Sequence, residues 1–254
     1  MADASSGDAA VDTPALTDAG ADGDAAVPAF VCPPGALLCD DFERPSLLGP
    51  FSKAYGAPSI SSAQAHSPSR SLSAVLSMNQ ASPQLEATLS GVSKMSLSFW
   101  FLVESPPPPD GYNVRIAHLL SGPACDWDST WQLSLTRNGL YTYVGTYDAD
   151  ANASCGPVEF DGEVVHPPAA TFDAKWHHVF VDLDVSSQTR RATVRVDDLA
   201  PVVHAMPSKR TGPVTSTLLG IGVPCVQKNA GCFDWDQPTD YGVFIDDVTV
   251  TPVP

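Results

Sequence analysis

Lys175-Trp-His-His-Val-Phe-Val-Asp-Leu-Asp184, then Ser186-Ser-Gln-Thr189, then Arg191-Ala-Thr-Val-Arg-Val-Asp-Asp198, is the stretch that decides the fold. In both outer runs apolar and polar residues alternate, which is the period of a strand whose two faces meet different surroundings. A short polar link between two such runs predicts an antiparallel hairpin. The alternation recurs at Leu72, Ala74 and Leu76, at Met95, Leu97, Phe99, Phe101 and Val103, and at Val114, Ile116, His118 and Leu120. Each set is expected on one face of a half-buried antiparallel strand. Trp131, Leu133 and Leu135, then Tyr141 and Tyr143, flank Arg137-Asn-Gly139, whose Asn-Gly pair signals a hairpin turn. The last such run is Tyr241 to Thr251.

Composition agrees with this pattern. Charged residues make up 17% of the 254, while 24 Pro and 18 Gly break the chain into many short segments, so an all-β fold is expected over a helical one. A single sandwich reaches this length without a second domain. The formal charge of −16 repels phosphate backbones, and the 13 Lys and Arg are scattered, which excludes nucleic acid and anionic membranes as partners. No run approaches the roughly 20 apolar residues of a membrane helix, so direct membrane insertion is not expected. Residues 1–28 are mostly Ala, Asp and Gly, with no positive charge before Arg44. They bury too little apolar surface to offset the entropy of ordering and are expected to form a disordered tether.

The opening Trp-His-His-Val and the closing Val-Asp-Asp of the hairpin resemble a hairpin of laminin-G-like and concanavalin-A-like jelly rolls. The resemblance implies a two-sheet antiparallel β-sandwich over residues 29–254, used more often to bind glycans than to cut them. A polysaccharide, a glycoconjugate or an extracellular protein is the partner it implies. The tether resembles the segment behind the lipidated cysteine of bacterial surface lipoproteins, which implies an extracellular, cell-surface or periplasmic location.

A second resemblance lies at the two ends of the domain. Asp40-Asp41-Phe42-Glu43 and Ile245-Asp246-Asp247-Val248 are similar to segments that hold a structural calcium in several jelly-roll groups. By that likeness Asp41, Glu43 and Asp246 are the Ca²⁺ ligands, oxygen donors of the kind the ion requires. Strand alternation would put Asp41 and Glu43 on one side and Phe42 in the core. Asp246 shares a face with Phe244 and Val248, so its carboxylate needs a partner. Capping of these acids by loop amides is the alternative.

Six cysteines, Cys32, Cys39, Cys125, Cys155, Cys225 and Cys232, form no close pair of the zinc or redox type. Disulfides are expected, which also supports export. Six cysteines allow 15 pairings. The equal short gaps favour Cys32 with Cys39 and Cys225 with Cys232, leaving Cys125 with Cys155.

Two Asp-Trp-Asp triplets follow cysteines and are candidate sugar contacts, Trp127 with Asp126 and Trp235 with Asp234. Sugar rings stack on aromatic faces while carboxylates accept from hydroxyls. Each Trp is equally able to plug an end of the sandwich. Tyr141 and Tyr143, with Tyr147, share a face at period two and form a second candidate platform.

Glu159-Phe-Asp-Gly-Glu163 resembles the Glu-x-Asp-x-Glu motif of laminarinase-type glucanases. The likeness implies Glu159 as nucleophile, Glu163 as acid/base and Asp161 between them, in a retaining glycoside hydrolase. Against it, Asp161-Gly162 is a turn signal and Gly replaces the usual apolar residue. A turn is therefore expected here, and binding is preferred over catalysis. The strand signatures of alginate-lyase jelly rolls are absent. His177 and His178 are adjacent in a strand and point apart, and the remaining histidines are isolated in sequence.

Overall fold

Among the described residues the alternating runs become fifteen strands and one turn of helix. The computed structural model describes residues 30–77, 81–122, 129–146, 159–207, 214, 216–228 and 240–254. In chain order the first strands are β1 (Leu38–Asp40), β2 (Lys53–Tyr55), β3 (Ser59–Ser61), β4 (Ser71–Leu76), β5 (Gln84–Ser90), β6 (Lys94–Val103), β7 (Tyr112–Ser121), β8 (Ser129–Thr136) and β9 (Gly139–Thr146). Then come β10 (Glu159–His166), helix α1 (Pro168–Thr171), β11 (His177–Asp184), β12 (Thr189–Val196), β13 (Val202–Pro207), β14 (Ser216–Lys228) and β15 (Tyr241–Pro252). The expected tether, residues 1–28, lies outside the described residues. No helix among those described is long and apolar enough to cross a membrane.

All pairings are antiparallel, in two sheets. One runs β13-β12-β11-β6-β15-β4-β3, with β1 also on β15; the other runs β10-β9-β8-β7-β14-β5-β2. The hairpin read first from sequence is β11 with β12, in register from Val179 opposite Val196 to Asp184 opposite Arg191. Val179, Val181, Val194 and Val196 point inward, while Arg195 lies over the Phe180 ring on the outside. Arg190 closes the link by donating to the Val185 carbonyl at 2.7 Å. Phe99, Phe101 and Leu97 of the first sheet meet Trp131, Leu133, Ile116 and Leu119 of the second in one core. Each such fully buried side chain contributes about 1.5–3 kcal/mol of transfer free energy.

The ends of the sandwich meet, Leu38 opposite Val250 and Asp40 opposite Val248. Cys32 and Cys39 form a disulfide just ahead of this pairing. Cys125, Cys155 and Cys232 lie outside the described residues, and of Cys225 only the backbone, in β14, is described.

Three local readings change. Asp161-Gly162 is not a turn: it lies inside β10, with Asp161 opposite Val144 and Gly162 opposite Tyr143. The ladder with β9 overrides the dipeptide's turn preference. In β7, Val114, Ile116, His118 and Leu120 do not share a face. A bulge at Arg115–Ala117 reverses the alternation, so Ala117 and Leu119 join the core and His118 and Leu120 turn outward. The third change is at β1, which ends at Asp40. Phe42 takes a left-handed φ of 56° while its ring still enters the core.

Candidate functional site

The bulge in β7 places Arg115 and His118, three residues apart, on the outer face of the seven-stranded sheet. Direct cross-strand pairing then runs a row of side chains across that face: Glu86, Gly220, His118, Gln132, Tyr143 and Gly162. Arg115, Ser134 and Tyr141 form the next row. The two glycines open the space, because a Cβ on Gly220 would run into the His118 imidazole and one on Gly162 into the Tyr141 hydroxyl.

The polar groups of the row are linked. Arg115 Nη2 donates to Tyr143 Oη at 3.4 Å, the Tyr143 hydroxyl donates to Gln132 Oε1, and Gln132 Nε2 donates to Thr130 Oγ1 at 3.2 Å. His118 is 4% exposed although it points away from the core, and neither ring nitrogen has a hydrogen-bond partner among the described residues. Burial, with the Arg115 charge adding to it, pushes the His118 pKa down to about 3, so the imidazole is neutral at physiological pH. Burial raises the Tyr143 phenol above its ordinary value, and Arg115 only partly offsets this. Tyr141 is raised by burial and then by Asp161 and Glu163. The face thus carries a fixed cation and a protonated phenol, with a buried amide and a buried neutral imidazole beside them.

Of the residues read from sequence, Tyr141 and Tyr143 belong to this site, their rings 6.3 Å apart. Asp126, Trp127, Asp234 and Trp235 lie outside the described residues. Asp161 and Glu163 share a face of β10, as expected, but it is the face opposite to Tyr141 and Tyr143. Asp161 Oδ2 lies 3.3 Å from His204 Nδ1 in β13 of the other sheet. Only the backbone of Glu159 is described.

The terminal carboxylates converge on one loop. Asp246 Oδ2 accepts the His66 and Ser67 amides at 2.9 and 3.0 Å, and its Oδ1 accepts the Asp247 amide. Glu43 accepts the Ser69 and Arg70 amides and the Ser69 hydroxyl. Asp41 Oδ1 accepts the Glu43 amide, and the buried Asp40 pairs with Arg44. The groups around these oxygens are N–H and O–H donors, the arrangement expected where loop amides cap the acids.

The bulge shifts the phase of β7 and so hides Arg115 and His118, whereas Gln132 lies in the unbroken alternation of β8, where nothing in the spacing singles it out. The signal that bears on His118 is Gly220 in β14, a strand position without a side chain over which the neighbouring ring lies.

No protein-family model and no curated protein matches the sequence. Solved structures do resemble it. An endo-β-1,4-glucuronan lyase from the fungus Trichoderma reesei superposes with a TM-score of 0.53 at 16% identity, over 87% of this chain and 93% of that one. A PL-14 alginate lyase from Aplysia kurodai gives 0.53 at 11% identity, over 81% and 92%. The cellulose induced protein Cip1 gives 0.51 at 12%, over 85% and 97%. The chain has a concanavalin-A-like jelly-roll fold. At these identities the likeness speaks for the fold alone.

Proposed function

We propose that this is an exported polysaccharide-binding protein that takes a uronate-bearing chain on the outer face of its seven-stranded sheet and cleaves it by β-elimination. The observation that carries the reading is the Arg115–Tyr143–Gln132 chain beside His118, whose ring nitrogens have no partner among the described residues. The names of the similar structures, two of them uronan lyases, support the choice of substrate class. The Cys32–Cys39 disulfide supports export.

In this reading Arg115, oriented by the Tyr143–Gln132 pair, holds the sugar carboxylate, which acidifies the proton on the neighbouring ring carbon. His118 accepts that proton, which requires its ring nitrogens, buried in the free protein, to be uncovered when the polymer binds. The electron pair closes a double bond to the next ring carbon, the bond from that carbon to the glycosidic oxygen breaks, and Tyr143 protonates the departing oxygen. The products are an unsaturated uronate and a new chain end. The burial that keeps His118 neutral also weakens it as a base, and an arriving carboxylate raises its pKa again. Trp127 and Trp235, with Asp126 and Asp234, belong to the proposal as further sugar contacts.

Incubation with glucuronan and with alginate, followed by the ultraviolet absorbance of the unsaturated product, tests it. Absorbance should grow with the parent protein and fall at least tenfold with Tyr143→Phe or Arg115→Ala. Retention on these polymers without any product favours a second reading, binding without cleavage, which the burial of His118 supports. Reducing ends without unsaturation, lost in Glu159→Gln or Glu163→Gln, would restore the glycoside hydrolase. A structural domain without glycan affinity remains if every polymer passes unretained. For the calcium expected from sequence, the donors around Glu43 and Asp246 predict that adding Ca²⁺ to chelator-stripped protein leaves the melting midpoint unchanged.

A further inference from the structure

We propose that His166, His177 and Asp197 form a binding site for a divalent transition-metal ion, with zinc the ion its donors suit best, independently of the polysaccharide reading. The site sits where the end of β10 in one sheet meets the start of β11 and the end of β12 in the other. One donor atom from each of the three residues lies within 4.8 Å of the other two. Both imidazoles are buried, at 4% and 5% exposure, and their rings are 4.8 Å apart.

Hydrogen bonding fixes which atoms are free. Thr171 Oγ1 donates to the Pro167 carbonyl at 2.9 Å or that of His166 at 3.1 Å, so it accepts from His166 Nδ1 at 3.0 Å. The tautomer assigned by this network carries its proton on Nδ1. His166 Nε2 therefore aims a lone pair at Asp197 Oδ2, 3.4 Å away. Two acceptors face each other, an arrangement that asks for a cation between them. The spacing suits one, since ligand atoms about 2.0–2.1 Å from a tetrahedral zinc stand about 3.3 Å apart.

His177 completes the set. Its Nδ1 is 2.8 Å from the same Asp197 oxygen, and its Nε2 is 3.0 Å from Asp173 Oδ1. Metal-bound histidines commonly give their second N–H to a carboxylate or another acceptor, which orients the ring. Here Asp173 does so for His177 and Thr171 for His166, while Asp197 Oδ1 is held by the His178 amide at 2.8 Å. All three ligands thus carry an outer support. Two imidazoles and one carboxylate suit zinc over calcium or magnesium. Asp197 is partly exposed, and this leaves a route for the ion and for a solvent ligand. A proton shared by His177 with Asp173 and Asp197 is the competing occupant.

The test uses the full chain, stripped with chelator and then titrated with Zn²⁺ by calorimetry and with Co²⁺ by visible absorption. One saturable equivalent is expected, with a tetrahedral Co²⁺ spectrum free of thiolate charge transfer and a higher melting midpoint with Zn²⁺. Asp197→Asn and His166→Gln should abolish the uptake, and Asp173→Asn, at a residue outside the ligand set, should weaken it about 10–100-fold. Lack of saturable uptake by the folded parent protein overturns the proposal. So does uptake unchanged in folded His166→Gln, or a thiolate band that assigns the ion to cysteine. If the ligand variants do not fold, the parent protein's stoichiometry, spectrum and midpoint shift decide alone.

Discussion

Asp246 shows how a single buried carboxylate makes folding depend on pH. It accepts three backbone amides, yet burial, and after it the neighbouring Asp247 charge, raise its pKa to about 7 from the ordinary 3.8. A raised pKa means that the folded chain holds a proton which the unfolded chain has released, so this residue's contribution to stability is present at low pH and fades as pH climbs from about 4 to about 7. Asp40 and Glu86 shift in the same direction, whereas His118, His166 and His178 are lowered by burial and act in the opposite one. The parent protein's own profile is therefore a sum of opposed parts. A comparison with Asp246→Asn isolates the single group. Urea midpoints at a series of pH values should show the parent's advantage over the variant shrinking between pH 4 and pH 7. A difference that stays constant across this range would mean that Asp246 does not titrate there.

At the level of strands, the same alternation explains what was legible and what was not. The β11–β12 hairpin, the long β6 and the terminal β15 carry long apolar–polar runs, and the sequence places them correctly. In β7 one extra residue reverses the phase, which hides Arg115 and His118 as a pair. In β10 the Asp161-Gly162 dipeptide imitates a turn, yet Gly162 is required because Tyr141 lies across it from β9. The His166–His177–Asp197 cluster is invisible to spacing, since β10 and β11 belong to different sheets. Gly220 has a comparable role in β14, where its missing side chain makes room for the His118 ring. Gly220→Ala should thus overpack this face and lower stability by about 1–3 kcal/mol. On the proposed reading it should also depress uronan cleavage by displacing His118. A variant as stable and as active as the parent in urea titration and product assay would show that the ring has room to move.

For the molecule as a whole, net charge and the proposed ligand pull against each other. The chain carries −16, and a polyuronate is also an anion, so the two repel at long range. Attraction comes only at contact, where Arg115 meets a carboxylate over a distance too short for salt to screen well. The range of the repulsion is set by ionic strength, with a Debye length of about 30 Å at 0.01 M and about 8 Å at 0.15 M. Raising salt between these limits removes the distant repulsion and leaves the contact almost intact. The association rate with a polyuronate should therefore increase over this interval, the reverse of a basic protein binding the same polymer. Rapid-mixing measurements at several salt concentrations check this. Arg115→Ala should leave the slope with salt nearly unchanged while speeding dissociation, because the residue acts after encounter. If the association rate of the parent protein falls with added salt, a local positive field steers the polymer, and the whole-molecule charge does not govern its approach.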